Sequence, residues 1–162
     1  MEYQILDIVE GTSADGPGLR TAIYFAGCTH HCPGCHNPQS WDPAAGKPVT
    51  EEELLKVIDY NDFHVTFSGG DPFMQAQKVA HLAHRIHTEL GKNIWCYTGY
   101  TWEQIQKHPE FQELLQNIDV LVDSPFILEQ RDISLLFRGS PNQRIIDVKA
   151  SLSKGELVTL GY

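Results

Sequence analysis

The sequence predicts an α/β fold, a partial, open βα barrel of about six mostly parallel strands with outer helices. Three observations carry this expectation. Short runs rich in β-branched and aromatic residues alternate with stretches of helical periodicity, the order that builds parallel sheets. The chain has 162 residues, enough for one domain over 1–162 with one core, whereas a closed eight-stranded βα barrel takes about 250. No low-complexity tract, internal repeat or linker divides it.

The elements follow in order. Residues 3–9 read as a first strand, after which the glycines and Pro17 of GTSADGPG turn the chain. TAIYF at 21–25 is a second strand that runs straight into a cysteine-rich loop. Thr50 ahead of Glu51, Glu52 and Glu53 reads as a helix N-cap, with acids placed against the positive end of the helix dipole, so a helix covers 51–59. HVTF at 64–67 is a strand, and Ser68, Gly69, Gly70, Asp71 and Pro72 bend the chain into a helix over 73–89. That helix has Val79, Leu82, Ala83 and Ile86 on one face. Residues 93–97 and 119–123 are further strands, separated by a helix that starts at Thr101 and is interrupted by Pro109. In the tail LLFRG, RIIDV and ELVTLG suggest short strands, or a strand and an excursion.

Twelve Lys and Arg against 21 Asp and Glu give a net charge of -9, which argues against direct nucleic-acid binding because phosphate affinity needs clustered cations. No run approaches the roughly 18 apolar residues of a membrane span, and MEYQILDIVEG carries neither a basic n-region nor a signal-like apolar run. A cytoplasmic protein is expected.

Three of the four cysteines, Cys28, Cys32 and Cys35, fall within GCTHHCPGCHNP. Such crowding suits a metal centre rather than a disulfide framework. On spacing alone two centres are open: an iron–sulfur cluster held by three thiolates, leaving one iron able to bind a reactant, or structural zinc completed by His30, His31 or His36. Cys96 lies in a β-favouring run and reads as a small core residue. In SGGDP, Gly69 and Gly70 let the main chain approach a small polar ligand, and Asp71 offers a carboxylate to an ammonium. Both motifs follow strands, where α/β folds bind ligands, and Thr98, Gly99 and Asp123 to Phe126 would line the same rim.

The stretch DGPGLRTAIYFAGCTHHCPGCHNPQSWD, with the later SGGDP, DSPF and FRGSPNQRIIDV, resembles the radical S-adenosylmethionine superfamily. Within it the chain is most similar to the glycyl-radical-enzyme activating proteins that serve anaerobic ribonucleoside-triphosphate reductases. The resemblance implies that Cys28, Cys32 and Cys35 ligate three irons of a [4Fe-4S] cluster, whose fourth iron chelates the amino and carboxylate groups of S-adenosylmethionine. It implies cofactor contacts at Asn37, Ser68, Gly69, Gly70, Asp71, Thr98 and Asp123. It further implies reductive cleavage of the cofactor, a 5'-deoxyadenosyl radical, a glycine of the reductase as its target, and a low-potential donor such as flavodoxin. Two positions depart from the superfamily pattern: Asp71 stands where Glu is usual, and Gly34 stands where an aromatic is usual. The rival readings are a radical enzyme for a small molecule, like the carboxy-deazaguanine synthases, and a zinc-stabilised binding module.

Other residues divide between site and scaffold. Arg20 is expected to pair with an acid at the rim, to touch a partner, or to form a surface salt bridge. Asp15, Asp123, Arg138, Asn142 and Arg144 flank Gly or Pro turns. His81, His84 and His87 read as a polar helix stripe, while Trp95 and Trp102 read as packing and Trp41 as a shield for the cysteine loop.

Overall fold

The computed structural model describes residues 1–35 and 38–162. Strands β1 (Glu2–Thr12), β2 (Arg20–Phe25), β3 (Lys47–Thr50), β4 (His64–Gly69), β5 (Ile94–Tyr97), β6 (Val120–Asp123) and β7 (Arg144–Asp147) form one sheet. Its order is β3-β1-β2-β4-β5-β6-β7, open at both edges. The four central strands β2, β4, β5 and β6 run parallel, and the flanking pairings are antiparallel. The expectation of about six mostly parallel strands is therefore corrected to seven, with the parallel pairings confined to the middle.

The additional strand, KPVT, was hidden by Pro48 and by its length of four residues, both typical of a sheet edge. The segment LLFRG forms no strand; it belongs to the irregular stretch 124–143. In the tail only β7 is a strand, joined by a single bridge between Ile146 and Thr159.

The helices are α1 (Glu51–Asn61), α2 (Ala76–Arg85), α3 (Trp102–Gln106), α4 (Gln112–Gln116) and α5 (Val148–Lys154). Thr50 caps α1 by accepting from the Glu53 N–H, and Thr101 and Gln104 close a capping box on α3. The expected helix over 73–89 is divided into a 3-10 turn at Pro72–Gln75, α2, and a π turn at Ile86–Leu90 that ends on left-handed Gly91. Pro109 separates α3 from α4 as expected.

Alternation along the strands sorts side chains into two faces. Ile23, Phe25, Val65, Phe67, Ile94, Cys96, Leu121 and Ile146 pack with Leu54, Ile58, Val79, Leu82, Leu114 and Val148 from the helices. Each such side chain contributes roughly 1.5–3 kcal/mol by leaving water. The opposite face, bare of helices, carries a smaller cluster of Trp95, Val120, Val122 and Ile145. Among the described residues no helix is long and apolar enough to cross a membrane.

Candidate active site

The parallel strands end together, so the loops leaving Phe25, Gly69, Tyr97 and Asp123 share one rim. The cysteine loop leaves β2 through Gly27, whose φ of 104° favours glycine. It is tied back by Gly27 N–H to Ser40 O (2.7 Å) and Cys28 N–H to Trp41 O (3.2 Å). Cys28, Cys32 and Cys35 are half-buried. Burial pushes the Cys28 thiol up to about 11 and raises Cys32 as well, so metal ligation there must displace protons. Among the described residues no three His, Cys, Asp or Glu side chains are gathered as around a single ion. Thiolates on separate corners of an iron–sulfur cube do not converge on one ion.

The Gly-Gly-Asp bend lies directly against this loop. Gly70 N–H donates to Phe25 O (2.7 Å), and Asp71 N–H donates to Gly27 O (2.8 Å). A Cβ on Gly70 would sit 2.4 Å from Gly27 O, and one on Gly69 would sit 2.4 Å from Phe25 N. Gly69 thus admits the end of β2, and Gly70 admits the start of the cysteine loop. From the sequence, the expected occupant of that room is a small polar ligand.

Asp71 is 1% exposed. Its carboxylate accepts from Phe73 N–H (3.0 Å), the Thr98 hydroxyl (2.8 Å) and Gly99 N–H (3.0 Å), and meets His30 Nε2 at 2.7 Å. The expected ammonium acceptor is in fact surrounded by donors of its own chain. Thr98, expected at the cofactor, is buried and spends its hydroxyl on Asp71. Asp123 is buried too, accepting from Trp102 N–H (2.8 Å), the Ser124 hydroxyl (3.1 Å) and Arg144 Nη2 (2.6 Å). Both residues stand at the predicted rim with side chains turned into the protein.

The helix-free face of the sheet opens beside these loops into a cleft of about 890 Å³, lined by Cys32, Cys35, Ser68, Tyr24, Tyr97 and Arg138 among others. That volume lies within the range of small-molecule sites.

Residues 14–146 match the family described as a 4Fe-4S single cluster domain. The anaerobic ribonucleoside-triphosphate reductase-activating protein of Vibrio cholerae is 40% identical over 153 residues, covering 89% of this chain and 94% of its own. That of Escherichia coli K12 is 36% identical over 151 residues, covering 88% and 94%. This chain belongs to the family of anaerobic ribonucleoside-triphosphate reductase-activating proteins. The pyruvate formate-lyase-activating enzyme of Clostridium pasteurianum is 38% identical over 108 residues, covering 59% of this chain and 44% of its own.

Membership in a 4Fe-4S activating family decides the metal question left open by spacing: the centre is iron–sulfur, and the protein is an activating enzyme. The residues fit such a cluster, since three soft sulfurs sit on one glycine-relaxed loop beside a cleft of cofactor size. Asn37 and His36 lie outside the described residues.

Two cleft residues carry no sequence motif. Tyr24 and Tyr97 alternate onto the helix-free face; the Tyr24 hydroxyl bonds Asp15, and that of Tyr97 donates to Phe137 O (2.6 Å). Strand parity was the signal that could have found them. Arg138 donates to Gln143 O (2.7 Å), and its buried Nε has no partner among the described residues. Asn142 donates to Pro125 O, and Arg144 binds Asp123 and Glu103.

Arg20 corrects its expectation. It is 2% exposed and among the described residues pairs with no acid, bonding Thr66 Oγ1 (2.9 Å), Val65 O (2.8 Å) and Asn93 Oδ1 (2.8 Å) beneath Trp95. Burial lowers its pKa to about 10. Cys96 is core as expected. His81 and His87 leave the helix stripe for separate carboxylates, Glu51 and Asp119. Trp41 stacks on His31 at 4.3 Å.

Proposed function

We propose that this protein cleaves S-adenosylmethionine reductively and uses the resulting 5'-deoxyadenosyl radical to place a glycyl radical on an anaerobic ribonucleoside-triphosphate reductase. The observation that carries the reading is the interlock of the three-cysteine loop with the Gly-Gly-Asp bend beside one open cleft. Held by Cys28, Cys32 and Cys35, a [4Fe-4S] cluster would supply the one electron that reductive cleavage of the sulfonium to methionine and a 5'-deoxyadenosyl radical needs. That radical takes a Cα hydrogen from the target glycine.

The chain's own tasks are binding, orientation and exclusion of water. Cys28, Cys32 and Cys35 hold three irons. Ser68, Gly69 and Gly70 offer the cofactor their strand-end backbone, and Asn37, two positions after the third cysteine in the sequence, is a further proposed contact. Asp71, Thr98 and Asp123 act through the positions they fix. The helix-free sheet face serves as the inner wall of a partial barrel, and residues 1–162 work as one radical S-adenosylmethionine domain. The barrel's missing side suits a substrate that is itself a polypeptide. Exposed Leu128, Ile133 and Leu136 on the stretch bordering the cleft give that polypeptide apolar contacts. A low-potential donor such as flavodoxin supplies the electron, in the cytoplasm.

The test is anaerobic incubation of cluster-loaded protein with reductant, S-adenosylmethionine and the reductase. A glycyl-radical EPR signal on the reductase, with methionine and 5'-deoxyadenosine formed, is expected. Cofactor cleavage without any such signal overturns the choice of substrate.

A further inference from the structure

Adjacent histidines between Cys28 and Cys32 have opposite surroundings. His31 is exposed and stacks on Trp41. The His30 side chain is only 16% exposed and points inward, with Nε2 2.7 Å from Asp71 Oδ2. Its slot is shaped for an imidazole. A Cβ on Gly99 would sit 2.6 Å from His30 Cδ2, so glycine at 99 makes the room. Tyr100 meets the ring edge-on at 4.5 Å. Asp71 closes the inner end, already holding Thr98 and Gly99 from the loop after β5.

From this geometry we infer that His30 is a positioning residue: it latches the middle of the cysteine loop onto the Gly-Gly-Asp bend and so fixes the distance between cluster and cofactor backbone. The inference rests on the cofactor reading proposed above. Among the described residues two main-chain hydrogen bonds otherwise join the loop to the bend, Gly70 to Phe25 and Asp71 to Gly27, and both lie before the first cysteine. His30 is the side chain between the first two cysteines that reaches the bend, so its seating holds Cys28 and Cys32 together. With a hydrogen on Nε2 the imidazole donates to Asp71 Oδ2. The shorter acid at position 71 keeps the carboxylate close to Phe73 N–H and Gly99 N–H, and the imidazole spans the remaining gap.

The test compares reconstituted wild type with His30→Ala, His30→Gln and His31→Ala. Iron content, S-adenosylmethionine affinity and the change that S-adenosylmethionine causes in the EPR signal of the reduced cluster are measured. Gly99 amide exchange is followed by NMR in the metal-free chains. Leaving the buried carboxylate short of one donor weakens affinity by about tenfold in His30→Ala and diminishes the EPR change. His30→Gln, whose amide can still donate, recovers both to within about threefold, and His31→Ala behaves as wild type. Gly99 exchange quickens in His30→Ala alone. Loss of iron in His30→Ala but not His30→Gln supports the latch, and loss in both overturns it. Wild-type affinity and EPR response in iron-loaded His30→Ala also overturn it. A wild type that binds no S-adenosylmethionine sinks the cofactor reading, and the Gly99 exchange then decides the latch by itself.

Discussion

Two buried carboxylates, at Asp71 and at Glu51, each collect several donors including a histidine, yet they do different work. Glu51 opens α1 and receives the Tyr3 hydroxyl (2.6 Å), Arg85 Nη1 (2.9 Å) and His81 Nδ1 (2.9 Å), joining β1, α1 and α2. One of its partners, Arg85, is a permanent cation, which itself reaches Glu52 and Glu89. Among the described residues Asp71 has no such cation: its donors are two backbone N–H groups, a hydroxyl and an imidazole, all from segments at the rim. The first arrangement fastens helices to a sheet. The second fixes the relative places of three loops, and it stands where the cofactor motifs meet. Substitution should separate the two roles.

The largest effect is expected within the cysteine loop itself. Cys32→Ala removes one of three soft ligands, so reconstituted iron falls from about four per chain to below about one, and glycyl-radical formation is abolished. The half-buried position keeps the change in folding stability within roughly 1 kcal/mol. Iron analysis beside a denaturant melt checks both. A cluster of normal iron content in this variant would break the assignment of ligands.

Next comes Gly70→Ala. Its methyl would meet the Gly27 carbonyl, backbone that cannot swing aside as a side chain can, so the bend and the cysteine loop must part. The expected cost is about 1–3 kcal/mol of stability, as for other overpacked sites, with cofactor affinity reduced by at least about tenfold. Equilibrium binding against the unfolding midpoint shows whether affinity falls more than stability does. An equal fall would make the bend scaffold only.

These sites also mark how far the sequence could be read. The cysteine spacing, the Gly-Gly-Asp bend and the Thr50 and Thr101 caps are local, decided within a few residues, and they were legible. What His30 and the glycines touch was not, because it depends on parallel β2 and β4 pairing Phe25 with Gly69. That register brings positions 25 and 69 side by side, and with them the loops that follow. The same limit hid α5, whose seven residues rest on an Asp147 cap directly after a strand, and β3, which exists only against β1. Arg20 looked like a rim or surface cation because nothing nearby in sequence reveals that carbonyls and a tryptophan enclose it. Tyr24 and Tyr97 carry no motif; only their alternation puts them in the cleft.

The smallest effect sharpens the contrast from the Glu51 side. Burial pushes the Glu51 carboxyl up, but hydrogen bonds from Tyr3, Arg85 and His81 outweigh it and hold the group below its ordinary value of 4.5. A carboxylate depressed in the folded state adds stability that is present above the unfolded value and is lost as pH falls through the folded one. Glu51→Gln should therefore cost about 1–3 kcal/mol at neutral pH, while cofactor affinity stays within about twofold of wild type because the hydrogen bonds that Tyr3, Arg85 and His81 give Glu51 involve neither the cysteine loop nor the Gly-Gly-Asp bend. Denaturant melts of both proteins from pH 7 downward should show their gap closing below pH 4.5 as the wild-type Glu51 takes up its proton. A gap that stays constant would mean that Glu51 acts by shape and not by charge. An affinity loss in Glu51→Gln as large as that of Gly70→Ala would erase the distinction between the two carboxylates.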